Sequence, residues 1–136
     1  MSEQVNPSRV LVIDDDAIVS ESIAEFLRRE GYEVATAPSG EAGLAQLEAT
    51  ETDVVVCDVA MSGMNGLEVL REVSKRRLGA AVIMLTGYGT VESAVEALRY
   101  GACDYLVKPV MEGELRLSLT RAIQQRALLA ENRTLR

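Results

Sequence analysis

The side chains best suited to chemistry in this sequence are carboxylates, a threonine and a lysine, each placed at the end of an apolar segment. Asp14 and Asp15 follow one such segment, Asp58 ends a second, Thr86 ends a third and Lys108 follows a fourth. Carboxylates brought together repel one another and raise each other's pKa unless a cation lies among them. Oxygen ligands without any imidazole favour Mg²⁺, which leaves positions for phosphate oxygens. The set therefore suits phosphoryl transfer to an aspartate oxygen, with the lysine as a fixed positive charge.

Each of these residues also has a purely structural explanation. An aspartate after a strand often caps the next helix, and we expect Asp16 to do so, with Asp15 as a second candidate. Thr86 fits an ordinary β-branched strand residue, and Lys108 fits a surface turn. Asp58 is harder to explain in this way, because an ionised carboxylate that ends a buried strand has a desolvation cost. The joint placement of the set favours the functional interpretation.

The elements that must position these residues alternate along the chain. Five short runs rich in Val, Ile and Leu are separated by stretches whose apolar residues recur every three or four positions, which is typical of βα units around a mostly parallel sheet. The predicted strands cover residues 9–14, 32–36, 54–58, 82–86 and 104–107. The predicted helices cover residues 17–30, 67–77 and 91–100, with one more starting after residue 39 and another near residue 111. Parallel strands end at one edge of the sheet, so the polar residues above converge there.

The length and composition of the chain exclude several classes of protein. The 136 residues suffice for one domain with its own core. With 21 Asp and Glu against 14 Lys and Arg, the net charge of −7 argues against direct binding of nucleic acid. The absence of histidine excludes a Ser-His-Asp triad and any zinc site with an imidazole ligand. Cys57 and Cys103 lack the spacing of metal ligands and fit reduced thiols. No apolar run is long enough for a membrane span. We therefore expect a cytoplasmic protein.

The C-terminal segment differs from the rest in charge. Residues 116–136 hold five Arg and one Glu, whereas the preceding part of the chain is acidic. Residues seven positions apart, most of them apolar, fit about two heptads, so this helix either forms a coiled-coil strand or packs on the domain as an amphipathic helix. The seven-residue spacings are Leu115, Ala122 and Leu129, and Arg121, Leu128 and Leu135. We predict a tail over residues 1–8, a domain over residues 9–125 and a helical extension or linker over residues 126–136.

Several separated segments resemble the receiver domain of bacterial two-component response regulators, over essentially residues 8–125. The resemblance implies an α/β fold of the flavodoxin-like (βα)5 type, a doubly wound parallel sheet of strand order 2-1-3-4-5 with an extended C-terminal helix. The matching segments are Val10-Leu11-Val12-Ile13-Asp14-Asp15-Asp16, Asp58, Gly63-Met64-Asn65-Gly66, Leu85-Thr86-Gly87 and Lys108-Pro109.

The resemblance also implies roles for the acidic residues. Asp58 is then the phosphoacceptor, and a partner sensor histidine kinase supplies the histidine that this chain lacks. Asp14, Asp15, Asp58 and the backbone carbonyl of Ala60 hold Mg²⁺, and Lys108 pairs with a phosphoryl oxygen. The chain is then a regulatory phosphoacceptor that catalyses its own phosphorylation and dephosphorylation, and not an enzyme acting on a separate substrate.

Two further pairs of residues match positions that transmit or tune the signal in this family. Thr86 and Tyr105 correspond to the switch pair, in which an aromatic side chain changes rotamer when the Thr hydroxyl moves; a simple sheet-edge aromatic is the alternative for Tyr105. Ala60 and Tyr88 flank the exposed side of the acyl phosphate, so we expect them to tune dephosphorylation through water access. The sequence departs from the usual pattern at Ser62, where many relatives have Pro, which makes the surrounding loop less restricted.

The segment from Thr86 to Pro109 resembles receivers that precede an ATPase and a DNA-binding domain in transcriptional activators. The ending Glu131-Asn132-Arg133 is similar to their linker. This resemblance implies a homodimer through helices 4 and 5 or through the C-terminal helix, with phosphorylation altering its packing. A single-domain receiver that docks on a separate partner is the alternative.

Three other functions compete with this interpretation. A phosphatase of the haloacid dehalogenase type shares an Asp-x-Asp motif after an apolar strand, and would use Asp14 as nucleophile, Thr86 and Lys108, but leaves Asp58 without a role. A receiver-like module that is never phosphorylated is disfavoured by the intact acidic set. Nucleotide or flavin binding lacks a glycine-rich phosphate loop in this sequence.

Overall fold

Strands and helices alternate along the whole described chain, as the apolar periodicity predicts. The structure, a computed structural model, describes residues 8–87 and 91–134, with side chains up to residue 126. The strands are β1 (Arg9–Ile13), β2 (Glu33–Ala37), β3 (Val54–Asp58), β4 (Ala81–Thr86) and β5 (Asp104–Val107). The helices are α1 (Ala17–Arg29), α2 (Gly40–Ala49), α3 (Gly66–Lys75), α4 (Val91–Arg99) and α5 (Glu112–Thr134).

All five strands form one parallel sheet in the order β2-β1-β3-β4-β5. This is the predicted order of the flavodoxin-like fold, so the predicted fold class is confirmed. The direction of strand addition reverses between β1 and β3, and in such sheets the crevice for ligands lies outside the carboxyl ends of the strands at that point. Asp58 at the end of β3 pairs in register with Leu85 of β4, and Thr86 at the end of β4 pairs with Val107 of β5.

The apolar runs of β1, β3 and β4 are buried because helices cover both faces of the sheet. Alternate residues of β1 enter different cores: Leu11 packs with residues of α2 and α3, whereas Val10 packs with residues of α1 and α5. Strand β2, at one edge of the sheet, alternates between more and less exposed positions because successive side chains point to opposite faces.

Element boundaries differ from the predicted ones by one or two residues. β1 ends at Ile13 because the Asp14 carboxylate accepts a hydrogen bond from the Asp16 amide at 2.9 Å, which turns the chain. α3 ends at Lys75 and not at residue 77, since Arg77 adopts a left-handed φ of 54° that a helix cannot continue. The other shifts are small and leave the site residues at the ends of the same strands.

Helix α5 is tied to the domain at several points. Leu115 and Ala122, which share one predicted heptad, are buried in the core with Leu119 and therefore pack on the sheet. Further along α5, the Arg126 guanidinium donates a hydrogen bond of 2.8 Å to the carboxylate of Asp53, which directly precedes β3. The remaining heptad side chains, at residues 128, 129 and 135, lie outside the described side chains. Neither α5 nor any other helix within the described ranges is long and apolar enough to cross a bilayer.

The two cysteines are free thiols that lie far apart in the sequence. Cys57 is buried within β3, and Cys103 is half-buried just before β5. Burial raises the pKa of both thiols, to about 11 at Cys103, so both are protonated at neutral pH. This fits the prediction that they are reduced packing residues, although Cys103 is only partly enclosed.

Candidate functional site

The predicted convergence of polar residues at the carboxyl edge of the sheet is present. Asp14 directly follows β1 and is 2% exposed, and Asp58 ends the neighbouring β3 and is 6% exposed. Lys108 follows β5 and reaches across β4, so that its Nζ lies 3.2 Å from Asp14 Oδ2 and 3.1 Å from Asp58 Oδ2. Residues that are 94 and 50 positions apart in sequence therefore form one charged cluster.

The two carboxylates of this cluster form a candidate metal site together with Asp15, which completes the acidic cluster. Ligand oxygens of Asp14, Asp15 and Asp58 all lie within 4.8 Å of one another, with Asp15 exposed and the other two buried. An all-oxygen donor set with one side open to water matches the preference of Mg²⁺, which retains part of its hydration shell. Burial raises the pKa of Asp14, and the charge of Asp58 adds to this, which is the electrostatic strain that a bound dication relieves.

Backbone amides hold each carboxylate of the cluster in place. The Asp16 amide donates to Asp14 Oδ1, the Ala60 amide donates to Asp58 Oδ1 at 3.2 Å, and the Ser62 amide donates to Asp15 Oδ2 at 3.2 Å. The last of these bonds joins the β1–α1 loop to the β3–α3 loop. The acidic residues are thus oriented before any ligand binds, which lowers the reorganisation needed for binding.

Asp16 does not belong to the cluster, as the sequence predicts. Its carboxylate accepts from the amides of Ile18 and Val19 at 3.0 and 3.2 Å and so caps α1. The second aspartate of an Asp-x-Asp phosphatase motif is therefore engaged as a helix cap, which argues against that alternative. Asp15, the other cap candidate, bonds to the Ser62 amide and lies with the cluster.

The loop that follows Asp58 is shaped by a glycine and a capping box. Gly66 donates its amide to the Val59 carbonyl at 2.9 Å, and a Cβ at this position would overlap the backbone oxygen of Asp58. Asn65 then caps α3 by accepting from the Glu68 amide, while the Glu68 carboxylate accepts from the Asn65 amide. The Asn-x-x-Glu pattern at residues 65–68 is the sequence signal for this cap.

The charge of Lys108 is fixed by the same contacts. Burial alone disfavours the ammonium, but hydrogen bonds to Asp58 and Asp14, together with their charges, outweigh burial and raise the pKa of Lys108. Its amide donates to the Thr86 carbonyl at 2.7 Å, and the Lys108–Pro109 peptide bond is cis. The lysine is thus a permanent cation at the cluster at neutral pH.

The predicted switch pair lies beside the cluster. Thr86 is buried at the end of β4, next to β5, which carries Tyr105. The Tyr105 hydroxyl lies 2.6 Å from the Ser93 hydroxyl of α4, so it is bonded to a helix and not to the carboxylates. Sequence reasoning missed Ser93, because no local pattern indicates which residue of α4 faces β5. The predicted tuning residue Ala60 is exposed, and Tyr88 lies outside the described residues.

Comparison with known proteins agrees with this geometry. The profile of the response regulator receiver domain matches residues 10–120. Over 114 residues the chain is 40% identical to the transcriptional regulatory protein ZraR of Escherichia coli (strain K12), covering 84% of this chain and 26% of ZraR. Over 128 residues it is 36% identical to the regulatory protein AtoC of the same strain, covering 94% of this chain and 28% of AtoC.

Solved structures give the same result. A response regulator receiver domain protein from Clostridium thermocellum is 37% identical, with a TM-score of 0.84, and the match covers 90% of this chain and 98% of that one. NtrX from Brucella abortus is 33% identical, with a TM-score of 0.89, and the match covers 95% of this chain and 30% of NtrX. This chain spans little more than a quarter of the length of the curated relatives it matches. It belongs to the response regulator receiver domain family of two-component systems.

Proposed function

We propose that this receiver domain is a Mg²⁺-dependent phosphoacceptor switch in which Asp58 takes a phosphoryl group from a sensor histidine kinase. The observation that carries the proposal is the contact of Lys108 Nζ with Asp58 Oδ2 at 3.1 Å, beside Asp14 and Asp15. A carboxylate is an established covalent nucleophile, and its phosphorylated product needs positive charge close by. The ammonium supplies part of that charge without any movement of the backbone.

The transfer exchanges one bond to phosphorus for another. An oxygen of Asp58 attacks the phosphorus, the phosphorus–nitrogen bond of the kinase phosphohistidine breaks, and its electron pair remains on the imidazole. Lys108 pairs with one phosphoryl oxygen, and the Thr86 hydroxyl donates a hydrogen bond to another. Because phosphoryl transfer depends mainly on positioning and charge neutralisation, no general base from this chain is needed.

The carboxylates of Asp14, Asp15 and Asp58, with the backbone carbonyl of Ala60, would hold the magnesium ion. When bound, the ion neutralises negative charge on the phosphoryl oxygens. Support comes from the donor set, which offers only oxygens, and from the open side at Asp15, where bound water and a phosphoryl group have access.

The chain in this proposal is a regulatory phosphoacceptor that promotes its own phosphorylation and dephosphorylation. Attack of water on the acyl phosphate ends the signal. Ala60 and Tyr88 match the family positions that tune dephosphorylation, and in this proposal their sizes set how readily water reaches the acyl phosphate. The exposure of Ala60 supports this role. Exchange of either residue for one of different size is expected to alter the phosphoryl lifetime.

The output of the switch is the face formed by α4, β5 and α5. Movement of the Thr86 hydroxyl toward the phosphoryl group changes the space beside Tyr105, which is bonded to α4. Exposed apolar side chains on this face support formation of a homodimer there, and the C-terminal part of α5 is the alternative dimer contact. These side chains are Val91, Val95, Leu98, Val107 and Leu117.

The chain is further proposed to act within a larger cytoplasmic regulator. The curated relatives that it matches are transcriptional regulatory proteins several times its length, which supports a domain over residues 9–125 and a linker that begins within residues 126–136. The free thiols are in keeping with a reducing compartment. The net charge of −7 supports regulation of an output without direct contact of this segment with nucleic acid.

Intact-mass measurement after incubation with acetyl phosphate tests the central claim. The expected result is a gain of one phosphoryl group that requires Mg²⁺ and disappears in Asp58→Asn. A phosphoryl group that is still trapped on an aspartate of Asp58→Asn would contradict it. Sedimentation with and without beryllium fluoride, a phosphoryl analogue, then tests dimerisation: unchanged association argues against the dimer switch and favours docking on a separate partner.

A further inference from the structure

Among the side chains described over residues 8–87 and 91–126, one group of cations has no carboxylate partner. Among the Lys and Arg side chains that the structure describes, eight form ion pairs with carboxylates. The other four are Arg71, Lys75, Arg77 and Arg99. Arg71 and Lys75 lie on α3, Arg77 lies just after its end, and Arg99 is the last residue of α4. All four are on the same side of the sheet. In a chain with net charge −7, this clustering of unpaired cations is not explained by a shortage of carboxylates.

These cations surround an open cavity between α3 and α4, which we call the α3–α4 groove. Its volume is about 580 Å³, and Arg71, Lys75, Arg99 and Tyr100 line it. The Arg71 guanidinium stacks over the Tyr100 ring, with 4.9 Å between Cζ and the ring centroid. Arg77 lines an adjoining cavity that shares Tyr100 with the groove. The cations therefore form one continuous basic patch, and stacking restrains its central arginine.

Two glutamates also line the groove, but each is engaged elsewhere. The Glu68 carboxylate accepts from the Asn65 amide at 2.9 Å as part of the α3 capping box. The Glu72 carboxylate accepts from Arg76 Nε at 2.8 Å, and Arg76 also pairs with Glu48. The internal carboxylates thus serve the helix and its neighbours, and they leave the groove cations free to pair with an anion from outside.

We infer that the α3–α4 groove docks an acidic polypeptide segment of a partner protein. Arg71 and Lys75 lie one helical turn apart, and Arg99 faces them from α4, so the positive charges follow the length of the groove. Carboxylates one turn apart on an acidic helix match this spacing, and an arginine fork binds a carboxylate through two hydrogen bonds. The residues that line this groove belong neither to the phosphorylation site nor to the exposed apolar side chains proposed above for dimerisation, although α4 contributes to both surfaces.

The test measures binding of fluorescent poly-L-glutamate to the phosphorylatable chain at low ionic strength. We expect saturable binding that weakens as salt is added and is reduced about tenfold in the double variant Arg71→Gln/Arg99→Gln. The matched control is Arg28→Gln/Arg29→Gln, which removes the same charge from α1 on the opposite side of the sheet. This control is expected to bind like the wild type.

Three results would overturn the inference: no binding by the wild type, equal losses in the two double variants, or inorganic phosphate competing as well as poly-L-glutamate. Lys75→Gln, which changes one exposed side chain, supplies the same comparison if the double variant fails to fold. Phosphorylation by acetyl phosphate is measured in the same samples. It is expected to stay unchanged in the groove variants, so failure of this inference and failure of the proposed function give different results.

Discussion

Lys108 Nζ lies 3.1 Å from Asp58 Oδ2 and at nearly the same distance from Asp14 Oδ2, so two buried carboxylates share one ammonium. Removal of this cation leaves both charges uncompensated. In the absence of Mg²⁺, Lys108→Gln is therefore expected to lower the free energy of unfolding by about 1–3 kcal/mol, measured by urea denaturation at neutral pH. Added Mg²⁺ is expected to recover part of the loss, because a dication takes over the neutralisation.

The control for this prediction is Arg28→Gln. Arg28 pairs with Glu21 on the surface of α1, and both side chains are largely exposed, so the expected loss is below about 1 kcal/mol. Equal losses in the two variants would show that the charge cluster contributes no more than a surface ion pair.

Asp15 separates metal binding from folding, because it belongs to the acidic cluster but is exposed and forms no ion pair within the described residues. Asp15→Asn keeps an oxygen that can accept from the Ser62 amide, so its stability without metal is expected to match that of the wild type. Saturating Mg²⁺ is expected to stabilise the wild type by about 2–3 kcal/mol at a hundredfold excess over Kd, and the variant by much less. Thermal melts with and without Mg²⁺ measure both quantities; equal stabilisation would remove Asp15 from the metal site.

Gly66 is required because the start of α3 lies against the backbone at the end of β3, next to the site. A Cβ at this position overlaps the Asp58 oxygen and lies 2.7 Å from Val59 Cα, both of them backbone atoms that have little freedom to move. Gly66→Ala is therefore expected to cost about 1–3 kcal/mol and to slow phosphorylation. Gly113→Ala is the matched control, since nothing lies within 4 Å of its added Cβ in α5, and it is expected to stabilise slightly. Urea denaturation of the two variants distinguishes the contact from a general effect of added methyl groups.

The strands and their edge residues were predictable from the sequence because both depend on local patterns. The apolar runs of β1, β3 and β4 reflect burial on two faces, and such runs place a following polar residue at the carboxyl edge. The strand order came from the resemblance of Asp58, Thr86 and Lys108 to a known family, since apolar periodicity alone does not order strands.

Contacts between the surfaces of different elements were not predictable in this way. The bonds of Tyr105 to Ser93 and of Arg126 to Asp53 join residues whose spacing carries no helical or strand period. They depend on how each helix docks on the sheet, which is decided by packing of the whole core. The unpaired state of Arg71 likewise depends on which neighbouring glutamates are already engaged, and the sequence does not show that.

The interactions of the Asp104 carboxylate are expected to make the free energy of unfolding fall in acid. Burial by itself raises the pKa of this carboxyl, but hydrogen bonds from Ser118, the Tyr105 amide and Arg121, with the Arg121 charge, outweigh it and hold the pKa below the ordinary 3.8. A depressed pKa in the folded state stabilises the fold above the unfolded-state pKa, and this stability is lost as pH falls through the folded value. Asp104→Asn is expected to lower the free energy of unfolding by about 1 kcal/mol at neutral pH. The variant is also expected to lose less stability than the wild type as the pH falls.

Midpoints of urea denaturation measured between about pH 6 and pH 2 test this pH dependence. The stabilities of the wild type and the variant are expected to converge toward low pH. Arg121→Gln removes one of the partners of Asp104 and is expected to lie between them. A constant difference between wild type and Asp104→Asn at every pH would contradict the linkage.

The bond between Tyr105 and Ser93 predicts that two single variants act through one contact. Their hydroxyls lie 2.6 Å apart and join β5 to α4, in which only Ala97 is buried. Loss of a neutral hydrogen bond costs about 1 kcal/mol, so Tyr105→Phe and Ser93→Ala are each expected to speed amide exchange in α4 about fivefold. Removal of both hydroxyls takes away the same bond only once, so the double variant is expected to exchange no faster than either single variant. Hydrogen exchange followed by mass spectrometry measures all four proteins, and additive effects would show that the two hydroxyls hold α4 independently.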